Sequence, residues 1–523
     1  MSVDPHAEKA ASVDLAPREK PTAEEYLRRI IASRVYDVAV ETPLERAPLL
    51  SEKTGNRVWL KREDRQPVFS FKIRGAYEFM VRQPKESLSR GVIAASAGNH
   101  AQGVALAALR LGVPATIVVP RTTPKIKIDA ICELGADLVQ YGDWYDDAYR
   151  RACELGSERG LLFVHPYDDP WVIAGQGTIG VEIYRQHPDP IDAVFVAVGG
   201  GGLIAGIALG LKQLMPSVKV IGVEPDDCDA LHRSLKIGER VKLDRIGMLA
   251  DGVAVKQVGE ETFRIAREWV DDVVVVSNDE ICGAVKEIFE DRRAVLEPAG
   301  ALAYAGLKRW AAQNGAANRE LVAIACGANL NFDRLRYIAE RAQVGEHREG
   351  LLAITIPERP GSFRALCAAI GPRLITEFNY RMGDPAVARV FVGVAIRDET
   401  ELADLVRDLQ NEGYETVDLT GDEVAKNHVR HMVGGRSPHA TDERLFHFGF
   451  PERVGALSEF LAQLAGTWNI SLFHYRNVGD DRGRALVGIQ VPPETSDAFA
   501  EFLGRVGSEW TEETDNVAIR MFL

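Results

Sequence analysis

Ala193-Val194-Phe195-Val196-Ala197-Val198-Gly199-Gly200-Gly201-Gly202-Leu203 decides the fold class of this chain. Its unbroken apolar half reads as a strand buried on both faces, the habit of parallel sheets covered by helices. The glycines that follow tolerate positive φ and carry no side chain, so successive amides can turn toward one anion. A helix from Leu203 to Leu214 would add its N-terminal partial charge behind them. The run therefore reads as a phosphate cradle. A plain strand-to-helix turn competes, although such a turn rarely needs four glycines in succession.

The same grammar extends outward. Val92–Ala95 reads as a strand before a helix Asn99–Leu111 closed by Gly112; Ala115–Pro120 reads as the next strand, before a helix ending at Gly135; Val218–Val223 follows the glycine run as another. Strands alternate with helices from about 25 to 335, more chain than one core comfortably holds, so two α/β lobes with a cleft are expected. Past about 345 the pattern changes. Pro357-Glu358-Arg359-Pro360-Gly361 is echoed by Pro451-Glu452-Arg453-Val454-Gly455, Asn379-Tyr380-Arg381 by His474-Tyr475-Arg476, and Val392-Gly393-Val394 by Val487-Gly488-Ile489. These echoes mark an internal repeat whose copies each read as a ferredoxin-like βαββαβ unit. The predicted division is a disordered tail at 1–24, a catalytic domain at 25–340, one repeat at 350–421, a polar linker at 422–443 and the second repeat at 444–515.

Composition narrows the partners. A net charge of −14 argues against nucleic acid and anionic membrane surfaces, which favour basic patches. No apolar run is long enough to span a bilayer. The first residues carry charges of both signs and Pro17 without an apolar core, unlike a signal peptide. Six scattered cysteines, Cys132, Cys153, Cys228, Cys282, Cys326 and Cys367, form no Cys-x-x-Cys pair or cysteine–histidine metal spacing, so free thiols in a reducing cytoplasm are expected.

Three further segments carry candidate chemistry, each with a plainer reading beside it. Lys72 stands in Ser70-Phe71-Lys72-Ile73-Arg74-Gly75-Ala76. A free lysine titrates near 10.4, so keeping it neutral at pH 7 costs roughly 4 to 5 kcal/mol, and a covalent link to an aldehyde cofactor avoids that cost. With Lys61, Arg62 and Arg65 nearby, an exposed charge is the alternative. Ser96-Ala97-Gly98-Asn99-His100 has small residues that let amides approach a ligand, while Asn99 alone reads equally as a helix cap. Gly200, Gly202 and Gly206, with Glu224 ending the next strand, also form a loose dinucleotide fingerprint, which keeps a nicotinamide oxidoreductase open.

Taken in order, these segments resemble the fold-type II pyridoxal-phosphate enzymes, a two-lobed, tryptophan synthase β-like fold. Within them the chain is most similar to the biosynthetic threonine dehydratase (threonine ammonia-lyase) family. The similarity rests on Ser70–Ala76, Ala95–Gly103, Val198–Leu203, Gly252–Val255, Glu297–Ala301 and Gly327–Asn329, and the tandem repeat resembles that family's paired ACT-like regulatory domains. It implies pyridoxal 5'-phosphate as cofactor and an α,β-elimination that turns L-threonine into 2-oxobutanoate and ammonia. Lys72 would hold the cofactor, next to Phe71, and then serve as base at the substrate Cα. Asn99 would meet the cofactor's ring hydroxyl, Gly199–Leu203 its phosphate, and Cys326 its ring nitrogen, left unprotonated by a neutral thiol. Ser96, Ala97, Gly98, Asn99 and His100 would bind the substrate. The resemblance also implies isoleucine as inhibitor, valine as activator, a homotetramer and a cytoplasmic setting. Ala97 stands where racemases of this fold carry a second serine, which implies a one-base eliminase. Relatives with a structural metal place an Asp six residues after a Glu; here Ala230 follows Glu224 at that spacing, and no metal is expected. L-serine dehydration and other lyase chemistry on the same scaffold remain alternatives.

Overall fold

The protein is described from a computed structural model covering residues 20–519, apart from 188, 347, 433, 436, 452–455, 464–466, 477–481, 507–508 and 517–518. It divides into two compact units, Met1–Gly345 and Glu346–Leu523.

The first unit has two sheets. The larger runs in the order Leu44–Arg46, Arg57–Lys61, Glu320–Ile324, Ala193–Ala197, Lys219–Pro225 and Asp272–Val276, and every pairing is parallel except the first strand's. Every residue of Ala193–Ala197 is buried, as expected of a strand with a neighbour on each side and helices on both faces. To the parallel strands that the sequence pattern predicts, the structure adds one antiparallel edge strand, Leu44–Arg46. The smaller sheet, Asp137–Gln140, Ala115–Val119, Val92–Ala95 and Leu162–Phe163, is wholly parallel. Each sheet has its own apolar core, as two lobes require. The helix Gly202–Lys212 is apolar all round and has ten buried residues, so it packs inside the larger lobe rather than on its surface.

Much of the predicted tail (1–24) lies outside the described residues, but its end does not: Thr22 caps a helix Ala23–Ile31 through a capping box with Glu25, and Tyr26 and Ile30 are buried. The predicted linker (422–443) likewise contains a short helix, Glu423–Asn427, and its last residue begins the next strand.

The second unit is one eight-stranded sheet made from two βαββαβ copies. The copies join edge to edge where Ile375–Arg381 pairs antiparallel with Asn469–Arg476. The pairing is symmetric about Asn379↔His474, two residues the repeat makes equivalent: Glu377 faces Arg476 as Arg381 faces Leu472. Both strands also slip register at the same point, between Ile375 and Glu377 and between Ile470 and Leu472. The bulged residues repeat their chemistry as well: Thr376 Oγ1 donates to Glu349 Oε1 at 2.5 Å, and Ser471 Oγ to Glu443 Oε1. Most of the echo Glu452–Gly455 lies outside the described residues.

Candidate active site

Lys72 is the first residue of the helix Lys72–Val81. The turn before it is tight: Phe69 adopts φ 54°, a left-handed conformation unusual for an aromatic residue. That turn is stitched to the segment after the central strand Glu320–Ile324, because Ser70 bridges Gly327, and Ala328 N donates to Phe69 O at 2.9 Å. Lys72 Nζ donates to Pro166 O at 3.0 Å. Burial draws its pKa down from 10.5 to about 8, with Glu297 opposing the shift.

Of the charged neighbours that favoured a surface reading of Lys72, Arg65 is exposed but Lys61 and Arg62 are interior. Lys61 is 0% exposed and Arg62 3%. Two residues beyond Lys72, Arg74 is fully buried and spans two carboxylates: Nε donates to Glu63 Oε2 at 2.7 Å and Nη1 to Glu182 Oε1 at 2.6 Å. Lys61 Nζ closes the cluster on Glu182 Oε2 at 2.5 Å and Thr42 O at 2.6 Å. Buried charges persist when each is paired and hydrogen-bonded, and this set anchors the helix that presents Lys72.

The glycine run has the form of a cradle. Gly201 takes φ 91°, which only glycine adopts readily, and the helix Gly202–Lys212 begins at once. Close approach adds a second constraint: a Cβ on Gly200 would lie 2.2 Å from the Tyr167 ring, and one on Gly199 2.9 Å from Val253 Cα. Gly200 O is held by Thr262 Oγ1 at 2.7 Å. Tyr167 and Pro166 belong to one segment, His165–Asp168. His165 Nδ1 accepts from Asp168 N at 2.8 Å, and Asp168 in turn accepts from the first amides of the helix Glu260–Trp269. Nothing in the sequence marked this segment, because its role comes from crossing both lysine and cradle.

Asn99 does not cap its helix; Gly98 occupies that position, without a side-chain cap. The Asn99 side chain instead donates from Nδ2 to Glu297 Oε1 at 2.6 Å and accepts at Oδ1 from Asn329 Nδ2 at 2.6 Å. Ser96 Oγ accepts from Gly98 N at 3.2 Å. Ala97 packs against the core of the smaller lobe. The imidazole of His100, read as part of the substrate loop, is buried against Val164 O at 2.9 Å. Burial and Lys72 hold its pKa near 3, so the ring is neutral, and His100 can serve a ligand through its backbone amide rather than its ring. Cys326 Sγ donates to Ala299 O at 3.2 Å, and burial raises its pKa, so the thiol stays protonated. Both carboxylate oxygens of Glu224 accept backbone amides, from Leu231 at 2.8 Å and His232 at 2.7 Å; the residue caps a helix.

A partly buried amine able to lose its proton, an amide-lined helix N-terminus thinned by glycine, an asparagine amide and a protonated thiol together fit a phosphorylated aldehyde cofactor. Residues 35–327 match the family described as pyridoxal-phosphate dependent enzyme, and residues 340–429 and 434–523 each match the C-terminal regulatory domain of threonine dehydratase. The chain is 55% identical, over 95% of its length and 99% of the other's, to L-threonine dehydratase biosynthetic IlvA of Burkholderia multivorans. It is 49% identical to the protein of that name from Escherichia coli, over 96% and 98%. Among solved structures, the processed form of threonine deaminase isoform 2 from Solanum lycopersicum aligns with a TM-score of 0.60 at 52% identity, covering 61% of this chain and 93% of that one. Maize serine racemase aligns with a TM-score of 0.56 at 31% identity, covering 60% and 95%.

Proposed function

This chain belongs to the biosynthetic threonine dehydratases, pyridoxal-phosphate-dependent lyases with a C-terminal regulatory unit, and on that premise we propose that Lys72 both holds the cofactor and acts as the base at the substrate Cα. The enzyme converts L-threonine to 2-oxobutanoate and ammonia by α,β-elimination, at the entry to isoleucine biosynthesis. The nicotinamide reading of the glycine run falls with this assignment.

Pyridoxal phosphate, when bound, supplies a sink for the electrons of the breaking Cα–H bond. The protein's residues do the rest. The amides of Gly199–Leu203 would hold the cofactor's phosphate at the start of a helix. Ser96–Asn99, with the His100 amide, would receive the substrate carboxylate, Asn99 would meet the ring hydroxyl and Cys326 the ring nitrogen. Lys72 takes the Cα proton. Ala97 offers no hydroxyl for a second base on the opposite face, which favours elimination over racemisation. The observation that carries this division of labour is the partly buried Lys72 amine, drawn to about 8 and tied to the segment that closes over the cradle.

We further propose isoleucine as inhibitor and valine as activator at the regulatory unit. Between its two copies a cleft is lined by Arg359, Gly361 and Phe363 on one side and Trp468, Asn469 and Ile470 on the other. A guanidinium beside apolar side chains suits a small branched amino acid. Exposed apolar side chains such as Phe332 and Met248 support self-association, which we assign as a homotetramer. The free cysteines support a cytoplasmic setting, and no helix among the described residues is long and apolar enough to cross a membrane. Steady-state 2-oxobutanoate formation from threonine and from serine, with and without isoleucine, tests catalysis, specificity and regulation together. Turnover of serine in preference to threonine would overturn the substrate assignment, and insensitivity to isoleucine the effector.

A further inference from the structure

Glu297 is a costly residue in an unusual place. It stands at the N-cap of the helix Pro298–Gln313, where a carboxylate ordinarily bonds the first free amides, yet its side chain makes no capping bond there. It is 3% exposed. Its Oε1 instead accepts from Asn99 Nδ2 at 2.6 Å, on a helix of the smaller sheet. Two glycines thin the backbone around it: a Cβ on Gly327 would come within 2.3 Å of Glu297 Oε1, and one on Gly252 within 3.4 Å of it. Burying a carboxyl without a compensating role is unfavourable, and the chain spends a helix cap and two glycine positions to do so.

The bonds around Asn99 have a fixed direction. The Val68 carbonyl can only accept, and Asn329 Nδ2 donates to it at 2.8 Å. The same Asn329 nitrogen reaches Asn99 Oδ1 at 2.6 Å, so both its hydrogens are used and Asn99 Oδ1 must accept. Asn99 Nδ2 then turns one hydrogen to Glu297 and keeps a second. The Asn329 backbone amide also donates to Glu297, closing the ring of contacts. An asparagine amide is nearly symmetric in shape, so without such a network its nitrogen and oxygen could exchange places.

We infer that Glu297 and Asn329 are positioning residues that fix the Asn99 amide so that it meets the cofactor ring with an N–H rather than a carbonyl oxygen. The inference rests on the assignment of Asn99 to the ring hydroxyl of pyridoxal phosphate. Neither residue touches the reacting atoms; both act through Asn99, and that route is what distinguishes them from residues that merely support the fold.

The test is a double-mutant cycle on the full-length enzyme, read as the equilibrium dissociation constant of pyridoxal phosphate from the apoprotein and as the absorbance band of the bound cofactor. Asn99→Ala and Glu297→Gln are each expected to weaken cofactor binding about tenfold, the value of one hydrogen bond. The double variant is expected to bind no more weakly than Asn99→Ala alone, because Glu297 has nothing left to position. Glu297→Gln should also shift the cofactor band while leaving the thermal midpoint of the apoprotein near wild type. If Glu297→Gln does not fold, the same cycle with Asn329→Ala decides the matter. Losses that multiply in the double variant, or unchanged affinity and band in the single variants, would overturn the relay. A wild-type chain that takes up no pyridoxal phosphate would instead overturn the cofactor assignment, so the two failures are told apart.

Discussion

Lys72 Nζ donates to the carbonyl oxygen of Pro166 at 3.0 Å. The next residue, Tyr167, lies so close to Gly200 that no side chain could be added there. A single segment therefore sets the distance between the covalent anchor and the phosphate cradle, two features far apart in sequence. Each can be perturbed separately.

Lys72→Ala should lower threonine deamination on the order of 10³-fold or more, since both cofactor anchor and Cα base are lost. Far-ultraviolet circular dichroism should stay that of wild type. Full ammonia release by the variant would contradict the catalytic assignment.

Burial places the Lys72 pKa at about 8 against an ordinary 10.5, so the neutral amine gains population as pH rises through 8. Covalent uptake of pyridoxal phosphate by the apoprotein should accelerate across that range and then level off; a rate still climbing toward 10.5 would mean an unperturbed lysine. The sign for stability follows. Between about 8 and 10.5 the unfolded chain binds the extra proton, so this group's contribution favours the folded apoprotein increasingly as pH rises.

Gly200→Ala would set a methyl group 2.2 Å from the Tyr167 ring, which must move. Cofactor affinity should fall by about tenfold or more, measured by equilibrium binding. Adding Tyr167→Ala to the same chain should recover part of the loss, by removing the clash.

Arg74→Ala would leave Glu63 and Glu182 buried with half their partners gone, at a cost of about 3–5 kcal/mol in chemical denaturation. Arg74→Lys should rescue only part of this, since an ammonium cannot make the paired bonds that the guanidinium makes to both carboxylates.

Arg381 reaches from the first regulatory copy to Glu443 of the second, with Nη2 donating to Oε2 at 3.2 Å and Nε donating to Gly435 O at 2.8 Å. Arg381→Ala should raise the isoleucine concentration for half-inhibition about fivefold, within the usual range of allosteric coupling, with kcat on threonine retained. An unchanged inhibition curve would separate this seam from regulation.

Local patterns made much of this legible. An unbroken apolar run followed by Gly199–Gly202 specifies a buried strand, a turn and a helix, because burial and backbone freedom act over a few residues. Ser96–His100 was legible for the same reason, as a short junction of strand and helix, and the echo of Asn379-Tyr380-Arg381 in His474-Tyr475-Arg476 marked the repeat, although only the structure pairs those two strands.

The partners of those motifs were not legible. The buried Lys61–Glu182–Arg74–Glu63 cluster looks in sequence like ordinary surface charge, because a lysine carries no local sign of whether water or a carboxylate will surround it. Pro166 and Tyr167 stand in no motif, and Glu297 has the appearance of a helix cap it does not make. The sequence by itself determined which segments form strands, helices, glycine turns and repeats, since those follow from periodicity and short-range sterics. Only the tertiary structure decided which distant side chains Lys72 and Asn99 would face, since burial and pairing depend on chain crossings that no local pattern encodes.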